Sequence, residues 1–183
     1  MMELAALQFE EFPKISRLFR EVSITEKIDG TNAQIIVQAD GAVQAASRSR
    51  LVTPEDDNYG FAKWVKANED ELRQGLGEGR HFGEWWGSGI QRNYSQTTKR
   101  FSLFNTHKWT EVRPACCDVV PIIWAGIYSP SCVHDALKVL RNEGSKAAPG
   151  FMKPEGIIIW HTAAQTYFKV TLEKDDEWKG KAG

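Results

Sequence analysis

Short β-prone runs of hydrophobic residues, separated by polar turn residues, occupy residues 22–48 and predict short β-strands. Asp-Gly dipeptides, which are strong turn signals, separate these segments. An antiparallel meander is therefore predicted at the start of the chain. Its strands are expected over residues 22–28, 33–38 and 42–48, with turns at Asp29-Gly30 and Asp40-Gly41.

The remainder of the chain mixes helical and strand patterns. Residues 61–73 place Phe61, Trp64, Val65 and Leu72 on one helical face, and a second helix is expected from an N-cap at Ser131 to Gly144. The pattern predicts an α+β fold, dominated by antiparallel sheet, in a single domain over residues 1–183. Further strands are expected over residues 81–86, 101–104, 119–124 (with Pro121 at an edge or bulge), 156–161 and 166–173.

Composition limits the possible classes of protein. The 183 residues are 42% hydrophobic and 26% charged, as in ordinary globular proteins, and the net charge is -1. A nucleic-acid partner would therefore have to be held by a local basic patch. Three cysteines without CxxC spacing favour a reducing compartment. No apolar run reaches membrane-spanning length, and the N-terminus has acids where a signal peptide has basic residues, so a cytoplasmic protein is predicted.

Lys27 is the candidate nucleophile, because it stands before an Asp-Gly pair in the segment TEKIDGTN. An unperturbed lysine is neutral only about 0.04% of the time at neutral pH, so attack on a nucleotide requires surroundings that favour loss of its proton. Asp29 could orient the ammonium or hold a hydrated metal, and Gly30 allows a close backbone approach. The alternative interpretation is a surface hairpin with no chemical role.

Five later positions could supply the other groups that such a reaction needs. Each also has a structural interpretation, such as an exposed strand end or a core aromatic. Their chemistry suits a bound nucleotide. The candidates are Arg48 for a bidentate phosphate contact, Glu84 as a ribose acceptor, Phe104 as a purine-stacking ring, Glu155 as a metal or lysine partner, and Lys169 for a second phosphate contact.

The order of these motifs resembles the covalent nucleotidyltransferases, which include ATP-dependent DNA ligases, RNA ligases and mRNA capping enzymes. The likeness is greatest to RNA ligases of the RNA ligase 2 type. Their first motif often reads E-K-x-x-G-T-N, and Glu26–Asn32 fits it. Their third motif often reads F-G-E followed by G-x-G-I-Q, which residues 82–84 and 87–91 fit. The likeness extends from about residue 13 to about residue 173.

The resemblance implies an adenylyltransferase fold, with antiparallel β-sheets and flanking helices around an ATP pocket. It implies ATP and Mg²⁺ or Mn²⁺ as cofactors, and RNA ends or a nicked duplex as partners. It also implies nine site residues: Lys27 (lysyl-AMP), Asp29 (assisting the lysine), Glu26 (adenine edge), Asn32 (steps on RNA), Arg48 (nucleotide and 5′-phosphate), Glu84 (ribose), Phe104 (adenine stacking), Glu155 (metal, through water) and Lys169 (α-phosphate).

Two departures from the family pattern define the alternatives. The last family motif is Lys-x-Lys, whereas position 171 is Thr171. The sequence continues for twelve residues after it, so we expect a catalytic core alone, whereas related ligases usually carry a further C-terminal domain. Self-adenylylation is therefore better supported than complete ligation. The alternatives are a guanylyltransferase or minimal DNA ligase on the same fold, or a nucleotide- or RNA-binding protein that self-adenylylates but does not seal.

Overall fold

The computed structural model describes residues 8–174, in which ten strands and three α-helices follow one another. In chain order they are β1 (Glu21–Lys27), β2 (Thr31–Val37), β3 (Val43–Ser47), β4 (Leu51–Val52), α1 (Phe61–Ala67), α2 (Glu69–Leu76), β5 (Gly79–Gly87), β6 (Lys99–Leu103), β7 (Cys117–Val119), β8 (Ile122–Ile127), α3 (Pro130–Glu143), β9 (Gly156–His161) and β10 (Thr166–Thr171), with a short 3-10 turn at Asn93–Ser95.

The smaller sheet has four antiparallel strands in the order β10-β9-β1-β8. Side chains on successive residues of a strand point to opposite faces. On β1, Val22 and Ile24 therefore join the apolar core under α3, which buries Ala136 and Leu140 against the same cluster. The opposite face of β1 carries Ser23, Thr25 and Lys27, so one face of this sheet is available to a ligand.

The larger sheet has six strands in the order β4-β3-β2-β5-β6-β7, antiparallel except for the β6–β7 pair. One face packs on α1 and α2 and forms the main core around Phe61, Ile35 and Trp85. Its other face is polar along β2, where Asn32 and Gln34 alternate with the buried Ala33 and Ile35. The polar faces of the two sheets border a common cavity.

The fold confirms the predicted class, but the predicted meander is wrong. Strands β2 and β3 pair as expected, whereas β1 pairs with β8 and β9 in the other sheet. The Asp29-Gly30 segment is therefore a crossover between sheets and not a hairpin turn. Turn propensity marks a change of direction, but it does not show which strand the returning segment joins.

Three smaller predictions also need correction. The expected helix over residues 61–73 is two helices that meet at Asn68. The expected strand over residues 119–124 is split at Pro121 into β7 and β8, which lie in different sheets. Helix α3 begins two residues earlier than expected, because Ser129 is its N-cap and Pro130 occupies the first helical position, while Gly144 ends it as predicted.

No helix within residues 8–174 is long and apolar enough to cross a membrane.

Candidate active site

A cavity of about 880 Å³ lies between the polar faces of the two sheets. Strands β1, β9 and β10 form one wall, β2 and β5 form the other, and the segment after β6 closes one side. Eight of the nine predicted site residues line this cavity, and the ninth, Glu155, contacts Lys27 directly. The eight are Glu26, Lys27, Asp29, Asn32, Arg48, Glu84, Phe104 and Lys169.

Lys27 is the last residue of β1, and its ammonium forms an ion pair with Glu155. The Nζ–Oε2 distance is 2.5 Å, and both side chains are largely shielded from solvent. Lys27 lies opposite Gly156 on β9. Glu155 immediately precedes Gly156 in the chain, and this places its carboxylate beside the lysine. An amine held at the cavity surface beside a carboxylate could act as a nucleophile once it has lost its proton.

Glu84 lies on β5 directly opposite Asn32 of β2. Its carboxylate accepts hydrogen bonds from the Gly30 backbone amide (3.0 Å) and from Asn32 Nδ2 (2.9 Å). Burial raises the pKa of Glu84 to about 7, although both hydrogen bonds favour the ionised form. The side chain is therefore a buried acceptor close to ionisation at neutral pH, with capacity left for a ligand hydroxyl.

Gly30 brings the Lys27 segment into contact with β5. A Cβ atom at this position would lie 2.4 Å from the Trp85 carbonyl oxygen and 2.7 Å from Trp86 Cβ. Both distances are shorter than real contacts, so a side chain here would push the crossover away from β5. The predicted close backbone approach is confirmed, and it is this approach that lets the Gly30 amide reach Glu84.

Asp29 is held from two sides by residues of the segment after β5. Its carboxylate accepts a hydrogen bond from Arg92 Nε (2.9 Å), and its backbone amide donates to the Tyr94 hydroxyl (2.8 Å). Arg92 also contacts Glu173 Oε1 (2.9 Å). Four non-glycine residues here adopt left-handed backbone angles, which are costly and concentrate at functional sites. They are Gln91, Asn93, Tyr94 and Ser95.

Glu26 lines the cavity, but its carboxylate is bound by the segment after α3. It accepts hydrogen bonds from Ser145 Oγ (2.6 Å) and from the backbone amides of Lys146 (2.7 Å) and Ala147 (2.9 Å). The residue is 1% exposed, and burial raises the pKa of its carboxyl above the ordinary value. Glu26 therefore anchors the 145–147 segment beside Lys27.

The remaining predicted residues stand around the cavity on different elements. Lys169 lies on β10 opposite Ile158, which in turn pairs with Thr25 of β1. Arg48 follows β3, and Phe104 follows β6, where it is half-buried. Thr171 pairs with Gly156 and so occupies the same row of the sheet as Lys27, two strands away.

This geometry places Lys27, four carboxylates, two further cations and the ring of Phe104 around one cavity. A sequence model of the RNA ligase family matches residues 20–171, more than half of the chain and all of these elements. The chain belongs to the RNA ligase family.

Solved structures with the same fold include other ligases. An RNA ligase of Naegleria gruberi (E312A mutant with AMP and Mn) has a TM-score of 0.59 and 19% identity, covering 84% of this chain and 50% of that one. An archaeal ATP-dependent RNA ligase has a TM-score of 0.58 and 18% identity, covering 87% and 48%. The K326A mutant of the Naegleria enzyme with ATP and Mn has a TM-score of 0.58 and 16% identity, covering 82% and 48%. This RNA ligase family member thus spans about half the length of these proteins.

The donors around the cavity suit a divalent cation that substrate phosphates help to hold. Within residues 8–174, no group of three or more His, Cys, Asp or Glu side chains could enclose a metal ion. Mg²⁺ in nucleotide sites is commonly held by one or two carboxylates together with phosphates and water. Glu155 at the cavity edge is a donor of that kind.

Four residues of this ligase-family site were missed by the sequence reasoning. Arg92 and Tyr94 follow the Gly-x-Gly-Ile-Gln run directly, so the run itself was a signal to examine them. Trp160 and Tyr167 line the cavity wall as an aromatic pair with ring centroids 4.4 Å apart. No sequence signal separates these two aromatics from core residues, because each lies in a β-prone run.

Proposed function

We propose that this chain is an ATP-dependent RNA ligase that works through a lysyl-AMP intermediate, with residues 1–183 acting as one adenylyltransferase domain. The observation that carries the proposal is the Lys27–Glu155 pair at the edge of a cavity lined by Glu84, Arg48 and Lys169. Membership of the RNA ligase family supports the reaction class, and the neighbouring ligase structures with ATP, AMP and Mn support the cofactors.

In the first step, Lys27 Nζ attacks the α-phosphorus of ATP. An N–P bond forms, the bond to the β-phosphate oxygen breaks, and pyrophosphate leaves. The ammonium must first give up its proton, and Glu155 Oε2 is an acceptor within hydrogen-bond reach. Lys169 and Arg48 would stabilise charge on the phosphates, Glu84 would accept from the ribose, and Phe104 would stack on adenine. A divalent cation, which Glu155 would hold through a water molecule, would neutralise the phosphates further.

The second and third steps join RNA. A 5′-phosphate oxygen of RNA attacks the AMP phosphorus, the N–P bond breaks, and Lys27 regains a proton. A 3′-hydroxyl then attacks the activated 5′-phosphate, and AMP leaves. Asn32 and Arg48 lie on the larger sheet's side of the cavity, where they would contact the RNA phosphate.

Incubation with ATP labelled in its α-phosphate, together with Mg²⁺ or Mn²⁺, tests the first step. The wild type should acquire covalent AMP, and Lys27→Ala should not. Absence of label from the wild type, or equal labelling of the variant, would refute the proposal. Lys63→Ala is a matched control, because Lys63 is an exposed lysine on α1 outside the cavity.

A second candidate function is self-adenylylation without sealing. Thr171 favours it, because the position in the Lys27 row that the family fills with a cation carries a hydroxyl instead. Covalent AMP without a joined product on any nicked or single-stranded RNA would select this candidate. GTP in place of ATP tests for a guanylyltransferase, and nicks with a DNA 3′-hydroxyl strand test for a DNA ligase.

We also propose a cytoplasmic location. The three cysteines, Cys116, Cys117 and Cys132, are free thiols, as is usual in a reducing compartment. Thiol titration of protein isolated under anaerobic conditions should count three, and a lower count would argue against this location.

A further inference from the structure

A second cavity of about 550 Å³ adjoins the Lys27 cavity along the larger sheet. The two share Asn32, Arg48, Phe104, Asn105 and Tyr167 as lining residues. The second cavity therefore meets the Lys27 cavity at these five residues. We call its far part the outer groove, which is lined by Gln34, Arg48, Arg80, Phe82, Lys108 and Trp109.

The charges in the outer groove are all positive. Its lining includes Arg48, Arg80 and Lys108 but neither aspartate nor glutamate. Across residues 8–174, no carboxylate forms an ion pair with any of these three cations. In contrast, Arg50 and Arg73 are paired with acids on the surface. Unpaired cations in a groove attract a polyanion, even though the net charge of the chain is -1.

The sheet register places these groups in a line that leads away from the active site. Along β5, Glu84, Phe82 and Arg80 point to the same face, opposite Asn32, Gln34 and Ile36 of β2. Arg80 lies about 13 Å from Glu84, at about 3.3 Å per residue. Phe82 between them is 54% exposed, although it stands in the centre of a strand.

We propose that the outer groove binds the RNA strand that carries the 5′-phosphate, a proposal that rests on the ligase function proposed above. Arg80 and Lys108 contact its phosphates, and Phe82 stacks on a base. Alternation of cations with exposed aromatics is how proteins bind single-stranded nucleic acid without reading its sequence. The pyrophosphate of ATP is a poorer occupant, because it has no flat apolar group to cover Phe82.

Fluorescence anisotropy of a labelled single-stranded RNA with a 5′-hydroxyl, which cannot accept AMP, tests the groove directly. Arg80→Gln combined with Lys108→Gln should reduce the slope of log affinity against log salt by about 1.4, the expected loss for two phosphate contacts with a single strand. Phe82→Ala should weaken binding about tenfold, as expected for one lost base stack. Thermal melting of each variant checks that the fold persists.

The matched control is Lys63→Gln combined with Lys138→Gln, which removes the same charge from exposed positions on α1 and α3. It should leave the salt slope unchanged. Equal slopes for wild type, groove variant and control would overturn the inference, as would wild type that binds no RNA.

Labelling with ATP separates this inference from the proposed function. If the groove holds RNA, the ATP concentration for half-maximal labelling in the Arg80–Lys108 double variant stays within about twofold of wild type. A large rise in that concentration, with RNA affinity unchanged, would assign the groove to the triphosphate and overturn the inference. Wild type that takes no label would sink the ligase proposal, while the anisotropy result still decides whether the groove binds RNA.

Discussion

The buried carboxylate of Glu84 should make folding stability depend on pH in an identifiable way. Burial raises its pKa from 4.5 to about 7. Between these values the folded protein holds the proton while the unfolded chain has released it, so the free energy of unfolding falls as pH rises. The stability that the protonated Glu84 side chain contributes is fully present below about pH 4.5 and is lost as pH rises through about 7. At 1.36 kcal/mol per pKa unit, the total is about 3 kcal/mol.

Substitution of Glu84 by Gln removes the titration and nearly preserves the shape of the side chain. Urea unfolding at about pH 5 and about pH 8 should show that wild type loses roughly 2 to 3 kcal/mol more stability than Glu84→Gln over this interval. Glu55→Gln removes an exposed carboxylate and serves as the control for charge alone. Parallel pH dependence in wild type and Glu84→Gln would refute the reasoning, because the carboxylate would then be ionised in both states.

Three further predictions concern the residues that surround Lys27. Glu26→Ala leaves three donors of the 145–147 segment without their acceptor, so the free energy of unfolding in urea should fall by about 3 kcal/mol. An unchanged free energy of unfolding would show that other contacts hold the segment. Arg92→Gln removes the ion pair that holds the Asp29 carboxylate. The rate of Lys27 labelling at saturating ATP should fall on the order of tenfold, and Arg92→Lys should recover part of it. A change only in the ATP concentration for half-maximal labelling would contradict this positioning role. Thr171→Lys adds a cation to the Lys27 row of the smaller sheet. In a single-turnover assay of preadenylylated enzyme, the rate of AMP transfer to RNA should rise on the order of tenfold. A lower rate would contradict a phosphate-binding role for this position.

Most local elements were predictable, and so was the set of residues that lines the cavity, because both depend on short segments of sequence. Runs of β-prone residues located β2, β3, β5 and β9 within a few residues. The Lys-x-Asp-Gly segment and the later acids could be assigned roles, since chemistry restricts which residue types can perform them. Their meeting around one cavity follows from the resemblance and not from any pattern within a single segment.

The partnerships between distant segments were not predictable. Asp29 and Arg92 are 63 residues apart, and the donors to Glu26 lie 119 to 121 residues away. Periodicity reports which face of an element is apolar, but it carries no information about which other element covers that face. The same limit explains why β1 and β2 were assigned to one sheet.

The crossover at residues 28–30 explains why the residues of the first motif are consecutive in sequence: this short segment connects the two sheets. Lys27 ends a strand of the smaller sheet, and Asn32 lies near the start of a strand of the larger one. The Gly30 amide between them donates to Glu84 on β5. Six successive positions, residues 27–32, therefore join both walls of the cavity, so any shift of one sheet against the other changes the distance between Lys27 and Glu84. A hairpin would have kept all of these residues on one wall of the cavity.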